Sequence, residues 1–336
     1  MTRLAPTPPA DTLPSHRLRL ENVLRAATLI DPVFLNSPQF NCEPLSETLG
    51  CALTLKLETA NPIRSFKGRG AGYLVASRAA DGRLAGRRLV GASAGNWGQA
   101  LAYACRSLGI PLTLFAATTA NPLKVARMKA LGAEMVLTGH DFDAAKQAGE
   151  AHAQATGGLW VADGLDPEAA EGAATIALEL LAGPDKPDVL AVPLGNGALL
   201  TGIARWAKAA HPGIEIIGVQ ASGADAMEKS WRTGTLLFPP SVATIADGIG
   251  VRVPIKEAVD DMPGIVDDVL LVEDADIIVA MRLLFHTAGL LVEPSGAAGV
   301  AAIKAHPARF RNRKVATIIC GSNLTEEQMK AWVLPA

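Results

Sequence analysis

The chain has 336 residues, of which 49% are hydrophobic and only 4% aromatic, and its 31 basic and 33 acidic side chains leave a net charge of −2. Neither sign of charge gathers into a block, so neither nucleic acid nor a membrane surface is an expected partner, and the shortage of aromatics argues the same way against a base-stacking surface. A mean hydropathy of +0.23 suits a sheet buried on both faces, in one or two closely joined domains.

Met1–Ala10 carries three prolines and no apolar core of a signal peptide, and reads as a loose tail. No apolar run reaches the roughly 18 residues of a membrane-spanning helix. Cys42, Cys51, Cys105 and Cys320 show neither CxxC spacing nor a histidine partner at ligand spacing, so a reduced, cytoplasmic compartment is the simplest expectation.

In chain order, Arg17–Ala27 has helical periodicity, and Thr28–Pro38 reads as extended, broken by Pro32 and Pro38. Cys51–Leu57 is a strand leading to a lysine turn, and Gly68–Ala80 is a small-residue helix suited to close packing on a sheet. Strand and helix then alternate. The strands are Leu89–Ser93, Leu112–Ala117, Glu134–Thr138 and Leu159–Ala162. The helices between them are Trp97–Leu108, a second capped by Asn121 with Pro122 at its first position, and Ala144–Ala155. The second half continues with helix Glu168–Leu181, strand Val189–Leu194, helix Leu199–Ala210, strand Glu215–Val219 and helix Ala224–Thr233. A long irregular stretch, Gly234–Asp268, precedes helices Ala275–Ala288 and Ser295–Ala305 and a last buried strand, Val315–Ile319. Strands separated by helices of this length imply parallel βαβ crossovers, with ligands beyond the carboxyl ends of the strands.

Lys67 follows Phe66 and Ser65 and precedes glycines. Burial beside an aromatic ring favours the neutral amine, the form that attacks a carbonyl, whereas an ordinary lysine in a turn is solvated. Gly195-Asn-Gly-Ala198 follows a buried strand and opens a helix, where free amides and the helix dipole attract phosphate. It lacks the Gly-Lys-Ser/Thr of a Walker loop and the third glycine of a dinucleotide fingerprint, and a ligand-free helix start is the competing reading. Ser93-Ala-Gly-Asn96 offers either an N-cap or a nest of amides with a hydroxyl. The six histidines show no zinc spacing, and no GxSxG elbow is present.

Taken in order, Ser65-Phe-Lys67, Ser93-Ala-Gly-Asn-Trp-Gly-Gln99, Gly195-Asn-Gly-Ala-Leu199, Glu293-Pro-Ser-Gly296 and Cys320-Gly-Ser-Asn323 resemble the serine/threonine dehydratases. These are pyridoxal-phosphate (PLP) enzymes of the tryptophan-synthase-β fold, and the resemblance runs from about Thr54 to the C-terminus. It implies an α/β fold of two lobes of parallel-rich open sheets covered by helices, with PLP in the cleft between them. The larger, PLP-binding domain would comprise residues 1–84 and 162–336, and the smaller one residues 85–161.

The resemblance also distributes roles. Lys67 would hold PLP as a Schiff base, beside Phe66, and act as the base that removes the α-proton. Ser93 would hold the substrate carboxylate, and Asn96 would donate to the ring oxygen of the cofactor. Gly195, Asn196, Gly197, Ala198 and Leu199 would hold its phosphate, although Asn196 and Ala198 depart from a glycine-richer family loop. Cys320 would face the pyridine nitrogen, with a buried structural thiol as the alternative. Glu293 matches a glutamate near the cofactor, against the alternative of a solvated or helix-capping side chain. Trp97 replaces a common histidine, as core packing or as a pocket wall.

The implied reaction is β-elimination of an L-β-hydroxy-α-amino acid, such as serine, threonine or a bulkier analogue, to a 2-oxo acid and ammonia. A β-replacement synthase and an idle amino-acid-binding protein are the alternatives. Lys-Gly-Arg-Gly-Ala71 and Asp247-Gly-Ile249 favour the dehydratases. No regulatory domain is expected after Cys320, and a homodimer is the expected assembly. No metal is expected, because Gln220, Ala224 and Ala226 stand where metal-assisted relatives place acidic or carbonyl ligands. Racemisation is not expected either, because Ser93 is followed by Ala94, whose methyl group cannot exchange a proton.

Overall fold

The computed structural model describes residues 7–334, so the first six residues of the expected loose tail lie outside the described residues. Among the described residues, ten short strands alternate with fourteen α-helices. The strands are β1 (Gln39–Asn41), β2 (Ala52–Leu57), β3 (Leu89–Ala92), β4 (Leu112–Ala116), β5 (Glu134–Leu137), β6 (Leu159–Val161), β7 (Val189–Pro193), β8 (Glu215–Ala221), β9 (Asp268–Val272) and β10 (Lys314–Ile319). The helices of the first half are α1 (Leu20–Leu29), α2 (Glu43–Leu49), α3 (Lys67–Ala80), α4 (Asn96–Leu108), α5 (Pro122–Ala130), α6 (Phe142–Thr156) and α7 (Pro167–Leu180). Those of the second are α8 (Ala198–Ala210), α9 (Ala226–Thr233), α10 (Lys256–Asp261), α11 (Asp274–Ala288), α12 (Pro294–Ala305), α13 (Pro307–Phe310) and α14 (Glu326–Trp332).

Two sheets result. One has the order β1-β2-β10-β7-β8-β9, the other β5-β4-β3-β6. Every pairing is parallel except β1 with β2. The expected α/β fold of two parallel-rich sheets is borne out. Helices cover both faces, so central strands have no polar side; all five residues of β7 are buried. No helix among the described residues is long and apolar enough to cross a membrane.

The structure adds to or changes the sequence reading in several places, β1, α13 and α14 among the additions. Thr28–Pro38 is only partly extended, because α1 runs to Leu29 and Asp31 then caps a single turn over Pro32–Phe34. Helix α2 follows, with Pro44 in its first turn and a left-handed Gly50 as its stop. The stretch Gly234–Asp268 contains α10 and leads into β9, which carries the sheet one strand beyond β8.

Three helices are locked together by their glycines. A Cβ on Gly70 of α3 would meet the Ala169 carbonyl of α7 at 2.5 Å, and one on Gly172 of α7 would meet the Arg69 carbonyl at 2.6 Å. One on Gly202 of α8 would meet the Ala170 carbonyl at 2.1 Å. No methyl group fits at any of these contacts. Beneath the head of α3, the fully buried Arg69 donates to both oxygens of Glu58 at 2.7 and 2.9 Å and to Glu179 at 2.6 and 2.9 Å. It also donates to Thr175 at 3.0 Å and Ser37 at 3.1 Å, while Lys56 reaches Glu179 at 2.6 Å.

Candidate active site

Lys67 is the first residue of α3, and the loop before it is zipped to the end of β10. Phe66 N donates to the Cys320 carbonyl at 3.0 Å, Ser322 N donates to the Arg64 carbonyl at 3.0 Å, and Ser65 bridges Gly321. The amine therefore stands at the carboxyl edge of the central strand, 4.5 Å from the centroid of the Phe66 ring. Phe66, Leu199 and Cys320 share one core cluster. Burial pushes the Cys320 thiol far up, so it is neutral.

Gly197 has φ +102, a left-handed conformation that suits glycine, and α8 opens immediately after it. The first-turn amides of α8 have no acceptor within the helix, which makes this end a seat for an anion. Gly195 is pressed against the loop carrying Asp247-Gly-Ile249, since a Cβ there would lie 2.9 Å from the Gly248 carbonyl.

Glu293 joins the two sheets. Asn96, at the head of α4, donates to Glu293 Oε1 at 2.8 Å, and Asn323 N donates to Oε2 at 2.9 Å. Asn323 Nδ2 returns to Asn96 Oδ1 at 2.8 Å, closing a ring of three residues in which Asn323 takes part through both its backbone amide and its side chain. Burial pushes the Glu293 carboxyl up to about 7. The residue occupies the N-cap position of α12 but its side chain does not cap it, and it is 4% exposed, so the solvated and capping readings are corrected. Ser93 Oγ accepts from Gly95 N at 3.1 Å and Gly98 N at 3.0 Å. With both lone pairs engaged, its proton is left to donate outward. Trp97 packs in the core beside Met128 and Leu101, which favours the core reading over a pocket wall.

The structure adds Asp163, a residue to which the sequence reading gave no role. Its Oδ2 accepts from Lys67 Nζ at 2.5 Å. The signal available was its position just past β6, at the carboxyl edge where such sheets keep their ligands. Asn323, present in a quoted motif, likewise acquires a job only through its partners. A cavity of about 440 Å³ bordered by Leu13, Arg17 and Asp261 lies away from all these groups, so chemistry and not volume locates the site.

The sequence profile of the family described as "pyridoxal-phosphate dependent enzyme" matches residues 30–321. This chain belongs to that family. It is 35% identical over 281 residues to an L-threonine ammonia-lyase of Geobacter sulfurreducens, covering 83% of this chain and 69% of the relative. It is 30% identical to an L-threo-3-hydroxyaspartate ammonia-lyase of a Pseudomonas species, covering 91% of this chain and 96% of that one. Maize serine racemase superposes with a TM-score of 0.86 at 26% identity, over 94% of this chain and 96% of the other. The expected cofactor, fold and ammonia-lyase class are thereby borne out.

The residues present fit the cofactor. The left-handed Gly197 and the free amides of α8 suit its phosphate, and the neutral Cys320 suits an unprotonated ring nitrogen. Buried oxygens of Ser65, Asp163 and Ser295 have no partner among the described residues.

Proposed function

We propose that this enzyme eliminates water from an L-β-hydroxy-α-amino acid of the serine or threonine class, or a bulkier analogue, and releases a 2-oxo acid and ammonium. The water lost in elimination is balanced by the water that displaces ammonia. Pyridoxal phosphate supplies a carbonyl for the substrate amine and an electron-withdrawing ring. In this reading Lys67 holds the cofactor and, once free, takes the α-proton on Nζ. The amides of Gly195, Asn196, Gly197, Ala198 and Leu199 hold the phosphate. Ser93 donates to the substrate carboxylate, and the Asn96–Glu293–Asn323 ring steadies that wall. Phe66 shields the amine from water, and Cys320 keeps the ring nitrogen neutral, which leaves less electron-sink power than a carboxylate partner gives; elimination tolerates this.

The observation that carries the reading is the placement of Lys67 against Phe66 and Cys320 at the carboxyl edge of β10. Residues 85–161 form the smaller domain in this proposal, and residues 1–84 with 162–336 the larger. The assembly is a homodimer and the compartment is the cytoplasm. The test is a panel of β-hydroxy amino acids given to PLP-loaded protein, with ammonia, 2-oxo acid and the chirality of residual serine measured. 2-Oxo acid should form without D-serine at a comparable rate; turnover only with an added second nucleophile would instead indicate a replacement synthase.

A further inference from the structure

Asp163 lies in the turn after β6, and its neighbour Gly164 has φ +84. A Cβ on Gly164 would meet the Asn196 carbonyl at 2.7 Å, so the turn is seated on the loop that opens α8 and has no room for a larger residue. Asp163 Oδ2 lies 2.5 Å from Lys67 Nζ, with the two side chains 14% and 13% exposed. Its other oxygen, Oδ1, is buried without a hydrogen-bond partner among the described residues. A carboxylate so enclosed is costly unless a cation faces it, and Lys67 is the cation within reach. The other titratable groups in this neighbourhood are committed: Cys320 is neutral, Glu293 is held by Asn96 and Asn323, and Glu58 is held by Arg69.

We propose that Asp163 is the counter-ion of the working lysine, holding Lys67 as an ammonium once it has taken the α-proton. In that step the Cα–H bond breaks, an N–H bond forms from the lone pair of Nζ, and the electron pair stays with the substrate; no oxidant or reductant takes part. Asp163 is worst placed while Lys67 is uncharged and best placed after the transfer, so its attraction grows along the reaction coordinate. The inference rests on Lys67 being the lysine that carries the cofactor.

Asp163→Asn keeps the size and removes the charge. Its kcat should fall roughly 10²-fold with KM little changed, as befits loss of a partner to the base. Borohydride should still capture the cofactor on Lys67, and the visible band of the loaded variant should titrate at lower pH than in the parent, because the anion that favoured a protonated nitrogen is gone. Asp163→Ser provides a second, smaller uncharged variant that must shift the band the same way, and Asp163→Glu should recover part of kcat. Capture on Lys67 with an unshifted band and parental kcat overturns the role of Asp163 alone. Capture on a different lysine overturns the assignment of Lys67 and this inference with it.

Discussion

Lys67 and Arg69 stand two positions apart at the head of α3 and have opposite surroundings. Arg69 is fully buried, and its guanidinium is shared among Glu58, Glu179, Thr175 and Ser37. Burial alone would lower its affinity for the proton, but Glu58 and Glu179 more than compensate and hold it charged. Lys67 has a single ionic partner among the described residues, and that partner leaves one oxygen unmet. The saturated cation fastens the helix, whereas the half-satisfied one keeps bonding capacity for something that arrives from outside. The contrast teaches that incomplete pairing, more than charge itself, sets apart the residue proposed to do the chemistry.

Removing Lys67 gives the largest effect on one side of that contrast. Lys67→Ala should lower turnover by at least ~10³-fold and abolish borohydride capture, while the cofactor-free protein loses about 1–3 kcal/mol in urea unfolding, because a single carboxylate, Asp163, is left without its cation. A loss as large as that expected of Arg69→Ala would erase the distinction between the two cations. Arg69→Ala, conversely, strands Glu58 and Glu179 and should cost about 3–5 kcal/mol in the same unfolding measurement. If it costs less than about 1 kcal/mol, the buried cluster is not a unit.

Glu293 offers a subtler test, because burial raises its carboxyl from 4.5 to about 7. A group whose folded value is raised contributes stability that is complete below its unfolded value and is lost as pH climbs through the folded one. The cofactor-free protein should therefore weaken between about pH 5 and pH 8 more than Glu293→Gln does. Parallel thermal-unfolding curves for the two proteins would mean that Glu293 is ionised throughout. The smallest effect expected is none at all: chelators should leave turnover unchanged. Gln220 Oε1 is engaged by Glu228 N at 3.0 Å, and Ala224 and Ala226 bring no charged oxygen. Activity lost to a chelator and restored by magnesium or calcium would overturn this.

Much of the fold was legible because local rules sufficed. Asn121 with Pro122 marks the start of α5, and apolar runs such as Val189–Pro193 mark buried strands. Lys67, Cys320 and the Gly195–Leu199 loop, which form the proposed site, stand out in the sequence because each lies in a short motif. What escaped depends on distant partners. Asp163 meets Lys67 across 96 residues, and nothing beside either of them announces the pairing. Glu293 reads either as a glutamate near the cofactor or as a solvated or capping side chain, and its actual partners appear only when Asn96 and Asn323 are brought to it from 197 and 30 positions away. Strand β9 follows a stretch rich in proline and glycine, and its role appears only when it pairs with β8.

The glycine contacts that join α3, α7 and α8 act as a gauge block. Lys67 heads α3, the Asp163 turn feeds α7, and the phosphate-binding end proposed for Gly197 opens α8. Backbone touching backbone sets the span from the amine to the proposed phosphate seat, since each of Gly70, Gly172 and Gly202 has a carbonyl where a methyl group would go. That span is consequently independent of which side chains line the rest of the cleft. Residues around the β-substituent can be exchanged to admit a different amino acid while the ruler against which the cofactor is laid keeps its length.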